Sequence, residues 1–460
     1  MRTVLSIILV LLLAAAGVYI VAGRAQGPAI TITQPGRFVG QTATLDLTVD
    51  APKGRLERLD VYVEQKGQRT PVASLANAQL RQEGPDRVRL QQPFGKQTVP
   101  SLQEGPARIV VIATRPVLRG LRHAQATVIK DVQVRLEPPR VSIVSTHHYI
   151  NHGGSEIVVY RVTPPDVVSG VKVGDTEYPG YPASGAAGLA NVQLPDPSMK
   201  VAFFALLYDQ DMNVPISLFA RDEAGNSARA DFEYRVFPKP MRRSNIRLDD
   251  KFLNRVVPAI LEHTPDLKPQ GDTLAKFLAI NGELRRKNAE QIASFAQKTE
   301  PRILFSGPFQ QMGNSQVEAA FADHRTYFYQ EREVDQQVHL GFDLAVTANV
   351  PVRAAQNGHV LFADYLGIYG NCVIIDHGMG VQSLYAHLSS FDTKAGQTVE
   401  KDQVIARSGM TGLAGGDHLH FTMLVQGHTV TPVEWWDSHW IEDRIVRKLR
   451  EAAAGAPVQP

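Results

Sequence analysis

His339-Leu340-Gly341-Phe342-Asp343 and, further along, His418-Leu419-His420 are the stretches whose reading decides the fold of the C-terminal part of this chain. The second lies behind a glycine-rich approach (Gly409, Gly412, Gly415, Gly416). Together they offer two imidazoles and a carboxylate to one metal ion, with one imidazole left over. Three protein ligands and an open position are the pattern of catalytic zinc, whereas structural zinc sites are usually closed by four ligands rich in Cys. With one Cys in 460 residues, a Cys-based structural site is excluded.

The spacing has a geometric meaning. Successive side chains on a strand alternate faces, so His418 and His420 point one way and Leu419 the other. Phe421, Met423 and Val425 fit a strand running away from the site. His339 and Asp343 are four apart, about 13 Å on a straight strand and too far for one metal with bonds near ~2 Å. The chain must therefore bend between them, and Gly341 permits the bend. A His pair with one carboxylate suits zinc better than calcium or magnesium.

A fifth residue joins the constellation. The alternating run Val381-Gln382-Ser383-Leu384-Tyr385-Ala386-His387 places Val381, Ser383, Tyr385 and His387 on one strand face. A catalytic metal needs groups beyond its ligands to activate water and stabilise an oxyanion, and His387 and His418 are the candidates. Any single His is more often structural or exposed than catalytic, and an isolated HxH is weak. The conjunction of HxxxD, a strand His and HxH in one domain-sized window carries the reading. His359, His377 and His428 receive no role, and His377 falls in an apparent turn, Asp376-His377-Gly378.

Residues from about Phe305 to Trp436 resemble the M23 metallopeptidases, the lysostaphin and LytM-type family. The match includes His339-x-Gly-x-Asp343, Tyr369-Gly-Asn-x-Val-Ile-Ile-Asp-His-Gly378, Leu384-Tyr-Ala-His-Leu388, Lys394-Ala-Gly-Gln-x-Val399, and Ser408-Gly-x-Thr-Gly412 leading to His418-Leu-His-Phe421. The resemblance implies an antiparallel β-sheet peptidase domain with zinc held by His339, Asp343 and His420. It makes His387 and His418 the non-ligand catalytic pair. It implies a zinc metalloendopeptidase that cleaves peptide bonds in the peptide stems and cross-links of bacterial peptidoglycan. The chain departs from the family at Asp417, where Pro is frequent, and at Thr422, where Glu is frequent. Some members have lost ligands and activate other hydrolases; this chain keeps all five residues. A non-hydrolytic envelope adaptor or amidase activator is the alternative.

The net charge of +2 carries no broad polyanion signal, so nucleic acid is not an expected partner. The lone Cys372 lies in the apolar run Asn371-Cys372-Val373-Ile374-Ile375, reads as a small buried hydrophobe, and excludes an intramolecular disulfide. Arg2 precedes an apolar run from Val4 to Ala22 in which only Ser6 and Tyr19 carry a polar group. Nineteen residues at about 1.5 Å each nearly match the hydrocarbon thickness of a bilayer. That is long for a cleaved signal, although small residues cluster near Gly23 and Ala25. The expectation is a retained single-pass anchor in the inner membrane, Arg2 inside and the catalytic part periplasmic or otherwise extracytoplasmic.

The fold class expected is mainly β. Residues 1–27 form the anchor or signal, 28–137 and 138–238 two β-rich modules read as immunoglobulin-like sandwiches, 239–303 a helical hairpin, 304–440 the peptidase domain and 441–460 a tail. The modules rest on short β-rich runs such as Ala43–Val49, Leu59–Val63, Ala107–Ala113 and Val201–Leu207, with turns such as Pro52-Lys-Gly54 between them. Pro138-Pro139 marks their boundary. His147, His148 and His152 cluster in an apparent loop and read as exposed. Between Arg247 and Lys298 the period becomes helical: Asp249 is an N-cap, Phe252, Val256, Ile260 and Leu261 share a face, and Pro265 and Pro269 divide two helices. Spacer, lid and partner surface are equally compatible with this segment. Glu442–Ala453 reads as one more helix and Gly455–Pro460 as a mobile end.

Overall fold

The computed structural model describes residues 2–51 and 55–455. The Pro52-Lys-Gly54 turn and residues 456–460 lie outside them. The fold is mostly β. By internal contacts the chain divides into two compact units, one reaching to Pro139 together with Arg221–Ala228, the other Arg140–Ala220 with the chain from Arg229 onward.

The first unit begins with a helix, Arg2–Ala22, long and apolar enough over Thr3–Ala22 to cross a membrane. Its β part is two sheets of four and five strands. Alternation puts Leu45, Leu47 and Val49 of one sheet and Leu59, Val61, Val63, Ile109 and Val111 of the other into one core.

The second unit contains a further β-rich module, the helical segment and the peptidase-like sheet. In the module, His148–Asn151 is a strand, paired in parallel with Tyr234–Phe237, where sequence reading expects a loop. His148 is buried there between Ser145 Oγ (2.9 Å) and the Glu233 carbonyl (2.9 Å), not exposed, because its two ring nitrogens are both satisfied locally.

Arg243–Leu248 (β1) leads into helix Asp250–Glu262 (α1), whose N-cap Asp249 accepts from the Phe252 amide at 2.7 Å. The buried face of α1 is Leu253, Val256, Val257 and Ile260; Phe252 and Leu261 lie at its margins. Thr273–Ala279 (α2) and Arg285–Ser294 (α3) are joined without a break by a π-helical turn, Ile280–Leu284. β1 pairs in parallel with Asp323–Tyr329 (β2), which pairs with Arg332–His339 (β3).

The chain crosses at Leu340-Gly341 into an eight-stranded antiparallel sheet containing Phe342–Ala345 (β4), Asn371–Asp376 (β5), Val381–Leu388 (β6) and His418–Val425 (β7). β7 lies between β4 and β6, and every residue of β6 and β7 is buried. Cover on both faces suits Met423-Leu424-Val425, which are apolar on either side of the strand beyond His420 and Thr422.

Candidate metal centre

Register brings the site together. Asp343 on β4 stands directly opposite His420 on β7, so both project from one face of the sheet. His339 arrives from the end of β3, in the other sheet. The bend at Gly341 has a second cause besides turning the chain. A Cβ there would lie 2.5 Å from both His420 Nε2 and Thr422 Oγ, so glycine clears the space that the His420 imidazole occupies.

His339, Asp343 and His420 each offer one ligand atom within 4.8 Å of the others. His339 Nε2 is 2.9 Å from Asp343 Oδ1 and 3.0 Å from His420 Nδ1, and His420 Nδ1 is 3.0 Å from the same carboxylate oxygen. The remaining nitrogens are spoken for. His339 Nδ1 faces the Ala320 carbonyl at 3.2 Å. His420 Nε2 donates to Thr422 Oγ at 3.0 Å, and Thr422 Oγ donates to the Leu340 carbonyl at 2.8 Å. These partners orient both rings with a lone pair toward Asp343, as outer partners of metal-binding histidines do. Two imidazoles and one carboxylate in this arrangement fit a zinc ion with an open position.

His387 reaches the same face by an irregularity. Tyr385 pairs with Phe421 and Ala386 with His420, so strict alternation would send His387 to the face opposite the ligands. Instead the β5–β6 register shifts here, and His387 adopts a left-handed φ of 61°. Its ring then lies 4.8 Å from that of His418 and 5.6 Å from that of His420. Expecting Val381, Ser383, Tyr385 and His387 on one face is therefore incorrect for the last member. His387 Nδ1 donates to the Thr411 carbonyl at 2.8 Å, and His418 Nδ1 to the Gly416 carbonyl at 2.9 Å. Each keeps Nε2 for the cavity, His418 Nε2 being 3.4 Å from Asp343 Oδ1.

Burial lifts the Asp343 carboxyl, but the surrounding imidazoles outweigh it and hold the group well below the usual carboxylate range. Burial, reinforced by His418 and His420, drives His387 well below an ordinary imidazole. Burial also lowers His420, to about 4. His418 is pulled down by burial and up by its contact with Asp343, and the carboxylate prevails.

The sequence assigns no supporting role to Arg325 or Thr422. Arg325 on β2 donates to Asp343 Oδ2 at 3.1 Å and lies 3.5 Å from Asp323 Oδ2, which also accepts from Ser244 Oγ at 2.7 Å. Nothing in the polar run Asp323–Thr326 distinguishes it from a solvated strand. Thr422 was visible only as a departure from Glu. The helical segment contributes a wall: a cavity of about 490 Å³ over the cluster is lined by β1, α1, the α2–α3 run and the sheet. His377 is buried against Ser383 Oγ (2.7 Å) and the Asn357 carbonyl (2.7 Å), away from the cluster.

Residues 337–432 match the model of peptidase family M23. Over 97 residues the chain is 42% identical to the DD-carboxypeptidase/endopeptidase Mpg of Neisseria meningitidis, covering 21% of this chain and 22% of that protein. It is 36% identical over 96 residues to the peptidoglycan DD-endopeptidase ShyA of Vibrio cholerae, covering 21% and 22%. It is 35% identical over 95 residues to the murein hydrolase activator EnvC of Escherichia coli, covering 21% and 23%. The aligned part thus spans about a fifth of these relatives. Residues 337–432 of this chain are a peptidase family M23 domain, and all five histidine and aspartate residues of the site lie inside it.

Proposed function

We propose that this chain is a zinc-dependent endopeptidase that hydrolyses peptide cross-links of bacterial peptidoglycan. The observation that carries the reading is the approach of His339, Asp343 and His420 within 4.8 Å, with two further imidazoles on the same face. Zinc held by His339, Asp343 and His420 would supply Lewis acidity, polarising the scissile carbonyl and lowering the pKa of water so that it can give up a proton and become the nucleophile. His387, with Nδ1 tied to Thr411, presents Nε2 to accept the proton of the attacking water. His418, with its Nδ1–H tied to Gly416 and its protonated form favoured by Asp343, donates through Nε2–H to the developing oxyanion or gives that proton to the departing amine. Arg325 fixes the free oxygen of Asp343 and keeps that carboxylate from turning away from the cluster. The peptidoglycan substrate is supported by the activities named for Mpg and ShyA, and the apolar Thr3–Ala22 helix supports an inner-membrane anchor with the peptidase outside.

The test is incubation of membrane-extracted protein with purified peptidoglycan, with and without chelator, followed by product analysis. Chelator-sensitive release of peptides is expected. Intact wall and no released peptide from zinc-loaded protein would sink the enzyme in favour of the adaptor reading, for which EnvC is the relative. In the same preparation, a soluble species starting after Gly23 would replace the anchor with a cleaved signal.

A further inference from the structure

We infer that Arg285 is a substrate-anchoring residue that binds a carboxylate of the stem peptide beside the metal centre. The inference rests on the peptidase reading above and concerns a residue outside the matched M23 region. Three arginines line the cavity over the cluster: Arg242, Arg285 and Arg325. Arg325 is engaged with Asp323 and Asp343. Arg242 is exposed and donates to the Glu318 carbonyl at 3.3 Å. Arg285 is half-buried and has no carboxylate partner among the described residues.

The guanidinium of Arg285 is nevertheless held in place. Its Nε donates to the Asn281 carbonyl at 3.0 Å, and one terminal nitrogen, Nη2, donates to Asn281 Oδ1 at 2.6 Å. Asn281 is fully buried, and its amide donates to Asp335 Oδ2 on β3 at 2.7 Å. A buried Asn is thus spent on orienting one arginine, and the anchor runs from the strand that ends in His339. Both Asn281 and the start of α3 are set by the π-helical turn Ile280–Leu284, a distortion found more often at functional sites than in plain helices. Nη1 makes no hydrogen bond among the described residues. A fixed guanidinium with donors to spare, in a cavity that also holds a hydrolytic centre, is complementary to a carboxylate. Two sources share that chemistry: the C-terminal carboxylate of the stem peptide and a side-chain carboxylate within it.

The experiment uses full-length, zinc-loaded protein, its Arg285→Gln and Arg285→Lys variants, and matched substrates. One pair is a stem pentapeptide ending in D-Ala-D-Ala as free acid and as C-terminal amide. The other is a cross-linked stem-peptide dimer with side-chain carboxylates free or amidated. For the carboxylate that Arg285 binds, Arg285→Gln should raise KM about tenfold or more while kcat changes little, and the amidated partner should be indifferent to the change. Arg285→Lys should fall between, keeping the charge but losing the planar fork. Zinc content and thermal midpoint should match wild type in both variants. Equal loss on acid and amide, or no loss on either pair, would overturn the proposal. If wild type hydrolyses nothing, the peptidase reading fails separately. Calorimetric titration of the same peptides into wild type and Arg285→Gln then decides the subsite by itself: binding lost with the arginine upholds it, and equal binding refutes it.

Discussion

At the scale of single residues, the site depends on which nitrogen of each imidazole is free. Ala320 and Leu340, through Thr422, settle this for His339 and His420, while Thr411 and Gly416 settle it for His387 and His418. His418 and His420 are both buried and both face Asp343, so the proposed separation into catalyst and ligand is a matter of atoms. Nδ1 of His420 lies with the ligand atoms of His339 and Asp343, whereas Nε2 of His418 stands farther off at 3.4 Å. His418→Ala and His387→Ala should therefore keep zinc while losing about 10²–10⁴-fold in hydrolysis. His420→Ala should lose zinc, because two protein ligands hold the ion poorly. Metal analysis of the purified variants decides; zinc lost from His418→Ala and kept in His420→Ala would exchange the two roles.

The elements carry these residues to one place by devices that interrupt regular structure. β3 and β4 belong to different sheets, and the two-residue crossing between them sets His339 against Asp343. The irregularity in β6 turns His387 to the ligand face. The π-helical turn between α2 and α3 carries the buried Asn281 and leads directly into Arg285, which donates back to it. α1, which walls the cavity, is a short helix containing Pro258 and depends on its cap. Asp249→Ala removes the acceptor of the Phe252 amide and should cost about 1 kcal/mol of local stability. Hydrogen exchange at the Leu253–Val257 amides reports it, a rise of about fivefold being expected and an unchanged rate excluding the capping role.

On the scale of the whole second unit, the β-rich module and the M23 domain are not separate cores. Ile157, Val159 and Phe203 of the module pack in one cluster with Leu344, Val381, Phe421 and Trp435. Trp435 Nε1 donates to Ser155 Oγ at 3.1 Å. The helical run Ser438–Ala453 closes back on the module, where buried Lys448 pairs with Glu156 at 2.8 Å. Glu434 sits at this junction, fully buried, accepting from Asn151 Nδ2 (2.7 Å) and from the Ser155 amide (2.8 Å) and hydroxyl (3.2 Å). Burial nevertheless pushes its carboxyl up from 4.5 to about 7. A carboxyl that holds its proton more tightly folded than unfolded contributes its full stability below the unfolded value and loses it as pH climbs through the folded one. The loss between those two values is about 3 kcal/mol. Glu434→Gln cannot titrate, so its thermal midpoint should gain on wild type as pH rises through this window. Parallel profiles for the two proteins would refute the assignment.

What the sequence by itself determined is local: which side chains can donate to a metal or a proton, and how they alternate along a strand. HxxxD, the strand His and HxH named the five site residues, because strand periodicity and ligand type are properties of neighbouring residues. Asp249 was legible as a cap, and Val4–Ala22 as an apolar helix, for the same reason. What only the tertiary structure decided are contacts between segments far apart in the chain. Alternation alone would have turned His387 away from Asp343 and His420; the register shift against β5 turned it back. Sequence placed Phe252, Val256, Ile260 and Leu261 on one face of α1; Val256 and Ile260 are buried, but packing joins Leu253 and Val257 to them and leaves Phe252 and Leu261 at the margins. His148 looked exposed until the Ser145 hydroxyl and the Glu233 carbonyl met its two nitrogens. Arg325 and Arg285 carry no local signature, since a guanidinium on a polar strand or helix reads as solvated until another segment supplies its partner. Long-range pairing also joined the β-rich module and the M23 domain into one core, through Trp435 and Glu434, which no local pattern links to Ser155.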